Sequence, residues 1–110
     1  KMQVLDEPTI KSKIKSGETI YLQFSADWCG PCKSLTKYIE TNQEKYPDIS
    51  FYKVDVDSCT SDFLNSYKVS SIPKSVLLNN GNELGEFVGF NPTKFEEIIR
   101  LYENPEAPSK

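Results

Sequence analysis

A chain of 110 residues with 37% hydrophobic and 26% charged residues has the size and composition of one globular domain, not of a disordered segment. A net charge of −3 without a long basic block argues against nucleic-acid binding, and no apolar run nears the roughly 20 residues of a membrane span. With 3 cysteines and no histidine, the chain lacks the ligands of a zinc centre, the base of a Cys-His hydrolase and the bridges of a disulfide scaffold.

In chain order, residues 2–5 read as a short edge strand. Asp6-Glu7-Pro8 opens a helix with Ile10 and Ile14 four apart on its inner face, and Ser16-Gly17 stops it. Residues 19–25, rich in β-branched and aromatic side chains, are predicted to form a strand. A helix over residues 33–46 places Leu35, Ile39 and Tyr46 on one stripe with Cys32, and Pro47 marks its end. Residues 49–56 are the next strand. Asp57-Ser58 is expected to cap a helix reaching Tyr67, with Phe63, Leu64 and Tyr67 facing inward. A loop around Pro73 leads to a strand at 75–78, a hairpin turn at Asn79-Asn80-Gly81-Asn82 and a partner strand at 84–88. Asn91-Pro92 supplies the N-cap and first residue of a last helix, with Phe95, Ile98, Ile99 and Tyr102 at helical spacing. The single domain is expected over residues 1–104, with 105–110 a flexible tail. Lys11, Lys13 and Lys15 read as a solvated face.

The stretch Trp28-Cys29-Gly30-Pro31-Cys32-Lys33 carries the chemistry. Two thiols two residues apart can close a small disulfide ring where a turn or a helix start brings them together. Gly30 is expected to tolerate the backbone angles of that turn, and Pro31 suits the first turn of a helix. A helix starting here aims unpaired N–H groups and a positive dipole end at Cys29, favouring the nucleophilic thiolate. A Cys-x-x-Cys pair at a strand-to-helix junction is a redox signature.

Residues 24–33, Phe-Ser-Ala-Asp-Trp-Cys-Gly-Pro-Cys-Lys, resemble the active-site segment of the thioredoxin family. The likeness continues in order. Val54-Asp55-Val56-Asp57 resembles the end of the family's central strand, Ser71-Ile72-Pro73 its cis-proline loop, and Asn80-Gly81 with residues 85–89 its last hairpin. Ser25 and Cys59 make it look closest to the eukaryotic branch. The resemblance implies an α/β thioredoxin fold, a central mixed β-sheet with helices on both faces. It implies a protein-disulfide reductase with Cys29 as nucleophile and Cys32 as resolving thiol, flanked by Gly30 and Pro31. Substrate contacts would come from Trp28, Val56, Ser71, Ile72, Pro73, Val88, Gly89 and Phe90. An extended substrate chain could pair with the backbone at Ser71-Ile72.

The resemblance further implies no bound cofactor, with reducing equivalents from a thioredoxin reductase, and disulfide-containing proteins as substrates of a monomer. A cytoplasmic location is expected; a chain opening on Lys1 leaves an organellar or secretory leader open. Lys33 would help hold the thiolate. Cys59 is weighed as a regulatory thiol activated by a helix dipole and as a part-buried spectator, with the spectator favoured. Three positions depart from the family. Gln23 replaces a buried aspartate, with Lys53 as its expected neighbour; Lys74 replaces a threonine; Lys37 replaces a kinking proline. An isomerase or oxidase of the same fold is disfavoured by Gly30-Pro31. The other alternative is a redox-active or redox-silent subunit of a larger assembly.

Overall fold

The computed structural model describes residues 1–106, so the end of the expected tail, 107–110, lies outside the described residues. The elements are β1 (Gln3–Val4), α1 (Glu7–Lys15), β2 (Thr19–Ser25), α2 (Gly30–Asn42), β3 (Ser50–Asp55), α3 (Ser61–Ser66), β4 (Lys74–Asn79), β5 (Asn82–Val88) and α4 (Pro92–Glu103). Their order along the chain follows the sequence reading. They build one five-stranded sheet in the order β1-β3-β2-β4-β5. β1, β3 and β2 are parallel, β4 runs antiparallel to β2, and β5 is antiparallel to β4.

Helices cover both faces, which divides the apolar residues into two layers. On one side Tyr21, Phe51, Leu77 and Phe87 of the sheet pack with Leu35 and Ile39 of α2 and Phe95, Ile98 and Ile99 of α4. On the other, Ile20, Leu22, Phe24, Val54, Val76 and Leu78 pack with Ile10 of α1 and Phe63 of α3. Alternating side chains of β2 therefore enter opposite layers, and the strand is buried from Ile20 to Ser25. A central strand covered on both faces reads as a continuous rather than an alternating apolar run.

The capping signals explain most boundaries. Asp6 caps α1 by accepting from the Thr9 N–H at 3.0 Å, and Asn91 caps α4 by accepting from the Lys94 N–H at 3.1 Å. At the hairpin, Asn80 and Gly81 have φ of 52° and 80°, the left-handed pair that a type I′ turn requires. The structure shortens the long helix: α2 ends at Asn42 and a 3-10 turn over Gln43–Lys45 leads on, so Tyr46 packs on the core from outside the helix.

The stretch after β3 also differs from the sequence reading. Asp55, not Asp57, accepts from the Asp57 N–H, and Val56–Ser58 form a separate 3-10 turn. α3 begins only at Ser61, capped by the Thr60 hydroxyl at 3.1 Å from the Phe63 N–H. The expected cap Asp57 and the actual cap Thr60 lie three residues apart, and Thr60 also places its own N–H and hydroxyl on the Glu7 carboxylate at 2.7 and 3.0 Å. That tertiary contact from α1 anchors the later helix start.

Candidate active site

β2 delivers the chain to the sheet's upper edge, and Ala26, Asp27 and Trp28 cross to α2. Cys29 is the N-cap of α2, in an extended conformation. Its sulfur accepts the Cys32 backbone N–H at 3.2 Å. One of the orphan donors of the first turn therefore points at Cys29 Sγ. Cys29 and Cys32 are joined as a disulfide, their Cα atoms 5.3 Å apart. One helical turn brings the two residues together. Gly30 is itself helical, has no left-handed φ, and a Cβ there would meet nothing within 4 Å. Gly30 adopts the helical geometry, and of the two expected routes, a turn or a helix start, the N-terminal turn of α2 closes the ring.

The two sulfurs differ in surroundings. Cys29 retains 7% of its surface exposed and Cys32 only 1%. Ala26, Val56 and Ile72 pack around the pair. Cys29 Sγ lies 4.0 Å from the Ile72 carbonyl oxygen, and the Ile72–Pro73 peptide is cis. Trp28 is 70% exposed, and its indole N–H donates to Asp57 at 2.8 Å.

Trp28, Val56, Ser71 and Ile72 come together along an open groove of about 370 Å³, which Leu64 and Val69 complete. Leu64, Val69 and Asp57 belong to this site although sequence reasoning assigned Leu64 to the core and gave the other two no role here. Leu64 and Val69 line a groove that the turn after β3, α3 and the Pro73 loop form jointly, and Asp57 joins through Trp28; no local sequence signal marks any of the three. Val88, Gly89 and Phe90 do not line that groove. Gly89 is tied to Pro73, donating its N–H to the Pro73 carbonyl at 2.8 Å, and Val88 and Phe90 expose about half of their surfaces. Lys33 is exposed on the first turn of α2.

Behind the pair, Gln23 is fully buried. Its amide donates to the Cys32 carbonyl at 3.2 Å and to the Thr36 hydroxyl at 3.1 Å. Among the described residues no buried side-chain nitrogen or oxygen lacks a partner. Lys53 faces Gln23 across the β2–β3 ladder, half-buried.

Cys59 is placed otherwise than a dipole-activated thiol requires. It precedes the cap of α3, and its thiol donates to the Asp55 carbonyl at 3.3 Å. Burial first, then the carboxylates of Glu7 and Asp55, pushes its pKa up from the ordinary thiol value. Among the described residues no helix N–H reaches this sulfur, so the dipole activation weighed as the less favoured reading of Cys59 has no donor behind it. Among the described residues no group of three or more His, Cys, Asp or Glu side chains could hold a metal ion.

The thioredoxin family model matches residues 1–101. Thioredoxin-1 of Saccharomyces cerevisiae is 39% identical over 88 residues, covering 80% of this chain and 84% of that protein. Thioredoxin-1 of Schizosaccharomyces pombe is 37% identical, covering 89% of this chain and 94% of its own. Thioredoxin H-type of Fagopyrum esculentum is 42% identical over a shorter stretch, and this chain spans 63% of its length. Among solved structures, oxidised mitochondrial thioredoxin 3 of Saccharomyces cerevisiae superposes with a TM-score of 0.79 at 33% identity, over 90% of this chain and 93% of that one. A poplar thioredoxin h gives 0.81 at 28% identity, over 94% and 96% of the two chains. With the family model running from β1 into α4 and the Cys29–Cys32 pair seated at the start of α2, this chain belongs to the thioredoxin family of thiol-disulfide oxidoreductases.

Proposed function

We propose that the protein reduces disulfides in protein substrates, with Cys29 as nucleophile and Cys32 as resolving thiol. In the reduced protein the Cys29 thiolate attacks one substrate sulfur. A Cys29–substrate disulfide forms, the substrate disulfide breaks, and the first substrate sulfur leaves as a thiolate that takes up a proton. Cys32 then loses its proton and attacks Cys29 Sγ. The Cys29–Cys32 disulfide forms, the mixed disulfide breaks, and the second substrate thiol is released. Two electrons pass from the dithiol to the substrate.

One observation carries this assignment of roles: Cys29 Sγ accepts the Cys32 N–H at the α2 N-terminus and keeps 7% of its surface exposed, against 1% for Cys32. The thiolate is stabilised where a substrate can reach it, and the second sulfur attacks from behind. Trp28, Val56, Ser71 and Ile72 would receive the substrate, with the backbone at Ser71-Ile72 as its pairing edge. Pro73 and the Val88-Gly89-Phe90 segment would close the other flank, and Lys33 would add positive charge beside the thiolate. Gln23, hydrogen-bonded to the Cys32 carbonyl, would hold the first turn of α2.

Reducing equivalents would come from a thioredoxin reductase. A reducing compartment, the cytoplasm first, suits an unpaired Cys59; a relative named mitochondrial thioredoxin-3 is 34% identical over 82% of this chain, and the mitochondrial matrix would suit it equally. Among the described residues no helix is long and apolar enough to cross a membrane. Trapping tests the roles: Cys32→Ser should accumulate mixed disulfides through Cys29, and Cys29→Ser should abolish both trapping and turnover with insulin. Normal turnover in Cys29→Ser would overturn the assignment.

A further inference from the structure

Lys74 follows Pro73 directly and is 4% exposed. Lysine is almost never this buried unless paired. Its ammonium forms an ion pair with Glu86 on β5 and donates to the Lys68 carbonyl at 3.3 Å. In the ladder Lys74 lies opposite Phe24 and Val88, and Val76 lies opposite Glu86. Alternation puts Lys74, Val76 and Glu86 on one face of the sheet. This is the face on which Phe24, Val76 and Phe63 of α3 form the apolar layer.

The other contact fixes the far end of α3. Lys68 has a left-handed φ of 54°. Its N–H donates to the Asn65 carbonyl and the Val69 N–H to the Leu64 carbonyl, both at 3.0 Å. This is a Schellman ending with lysine where glycine is usual. Lys74 Nζ therefore joins the end of α3 to the start of β4. The loop 69–73 is the arc that this contact closes, and it presents Val69, Ser71 and Ile72 to the groove.

A stabilising role alone does not account for such a lysine. Burying an ammonium is costly, and an apolar side chain of similar volume is often as stable or more so. Holding one loop conformation is the role that an apolar side chain could not fill. We propose that Lys74 is a positioning residue for protein substrates: through Glu86 and the Lys68 carbonyl it holds loop 69–73 in the conformation that docks them. This rests on the reading of that loop as the substrate edge.

Steady-state reduction of insulin and of the small disulfide 5,5′-dithiobis(2-nitrobenzoate) tests it, together with amide hydrogen exchange at 69–72. Loosening the loop lowers the fraction of molecules ready to dock, so Lys74→Met should raise KM for insulin about fivefold with little change in kcat. The rate with the small disulfide should change less than about twofold, since docking along the loop matters little to it. Exchange at 69–72 should quicken. Glu86→Gln should act in the same direction more weakly, and it carries the same test should Lys74→Met not fold. Unchanged exchange, or an unchanged KM while Ile72→Ala raises it, overturns the role of Lys74 and leaves the docking reading standing. An unchanged KM in Ile72→Ala as well overturns the docking reading and the proposal with it.

Discussion

Cys29 and Cys59 both follow the end of a parallel strand, and both precede a helix by a residue or two. Their environments are opposite. Cys29 is itself the cap of a thirteen-residue helix and accepts an N–H. Cys59 stands one residue before the cap of a six-residue helix and donates to a carbonyl, and burial first, then two nearby carboxylates, push its pKa up. A helix N-terminus activates the atom its N–H groups touch; one residue away burial and then the local charges decide. Nearness to a helix in sequence is therefore a poor guide to thiol reactivity unless the cap is known.

The contrast can be broken most directly by alkylation. In the reduced protein at pH 7, iodoacetamide should modify Cys29 faster than Cys59 by on the order of tenfold to a hundredfold, measured by mass spectrometry of the peptides. Equal rates would mean that the α2 N-terminus contributes nothing.

Gln23 sharpens the active side of the comparison. Gln23→Asp should accelerate the resolving attack of Cys32 near neutral pH by up to about tenfold and add a titration to its pH profile, because a carboxyl can take the thiol proton and an amide cannot. The same change removes the donors to Cys32 and Thr36 and should cost about 2 kcal/mol of stability. Rapid-quench kinetics of mixed-disulfide decay and a denaturant titration separate the two effects. A less stable variant with unchanged kinetics would leave Gln23 a purely structural hydrogen-bonder.

On the inactive side, Glu7→Gln removes one of the charges that raise the Cys59 pKa. Cys59 alkylation should quicken about threefold and Cys29 alkylation should not change. Glu7 itself has a lowered pKa, from the Thr60 N–H first and Lys11 next. A carboxyl depressed in the folded state adds stability above its unfolded pKa and loses it as pH falls through the folded one. The variant should therefore melt slightly below the parent at pH 7 and equally with it near pH 2. The smallest effect is expected from Thr60→Ala, which removes the α3 cap at a cost of about 1 kcal/mol and leaves the Cys29–Cys32 chemistry intact.

Much of this was legible in the residue order. The α1 and α4 caps, the Asn80-Gly81 turn and the placement of Cys29-Gly30-Pro31-Cys32 at a strand-to-helix junction rest on contacts between residues two to four apart. Backbone geometry and nearby side chains settle such contacts, so the sequence alone determines them. It also showed that Gln23 faces away from Leu22 and Phe24, by strand alternation.

Tertiary structure decided the rest. Thr60 wins over Asp57 as a cap because Glu7 reaches it from 53 positions away. Lys68 ends α3 in a left-handed conformation without glycine, so nothing local marks the stop. Trp28 gains Asp57 as a partner across 29 positions. Lys74 is buried only because Glu86 and the end of α3 meet its ammonium there. A charge can leave water where distant partners replace its hydration, and which partners converge is a property of the assembled sheet and helices.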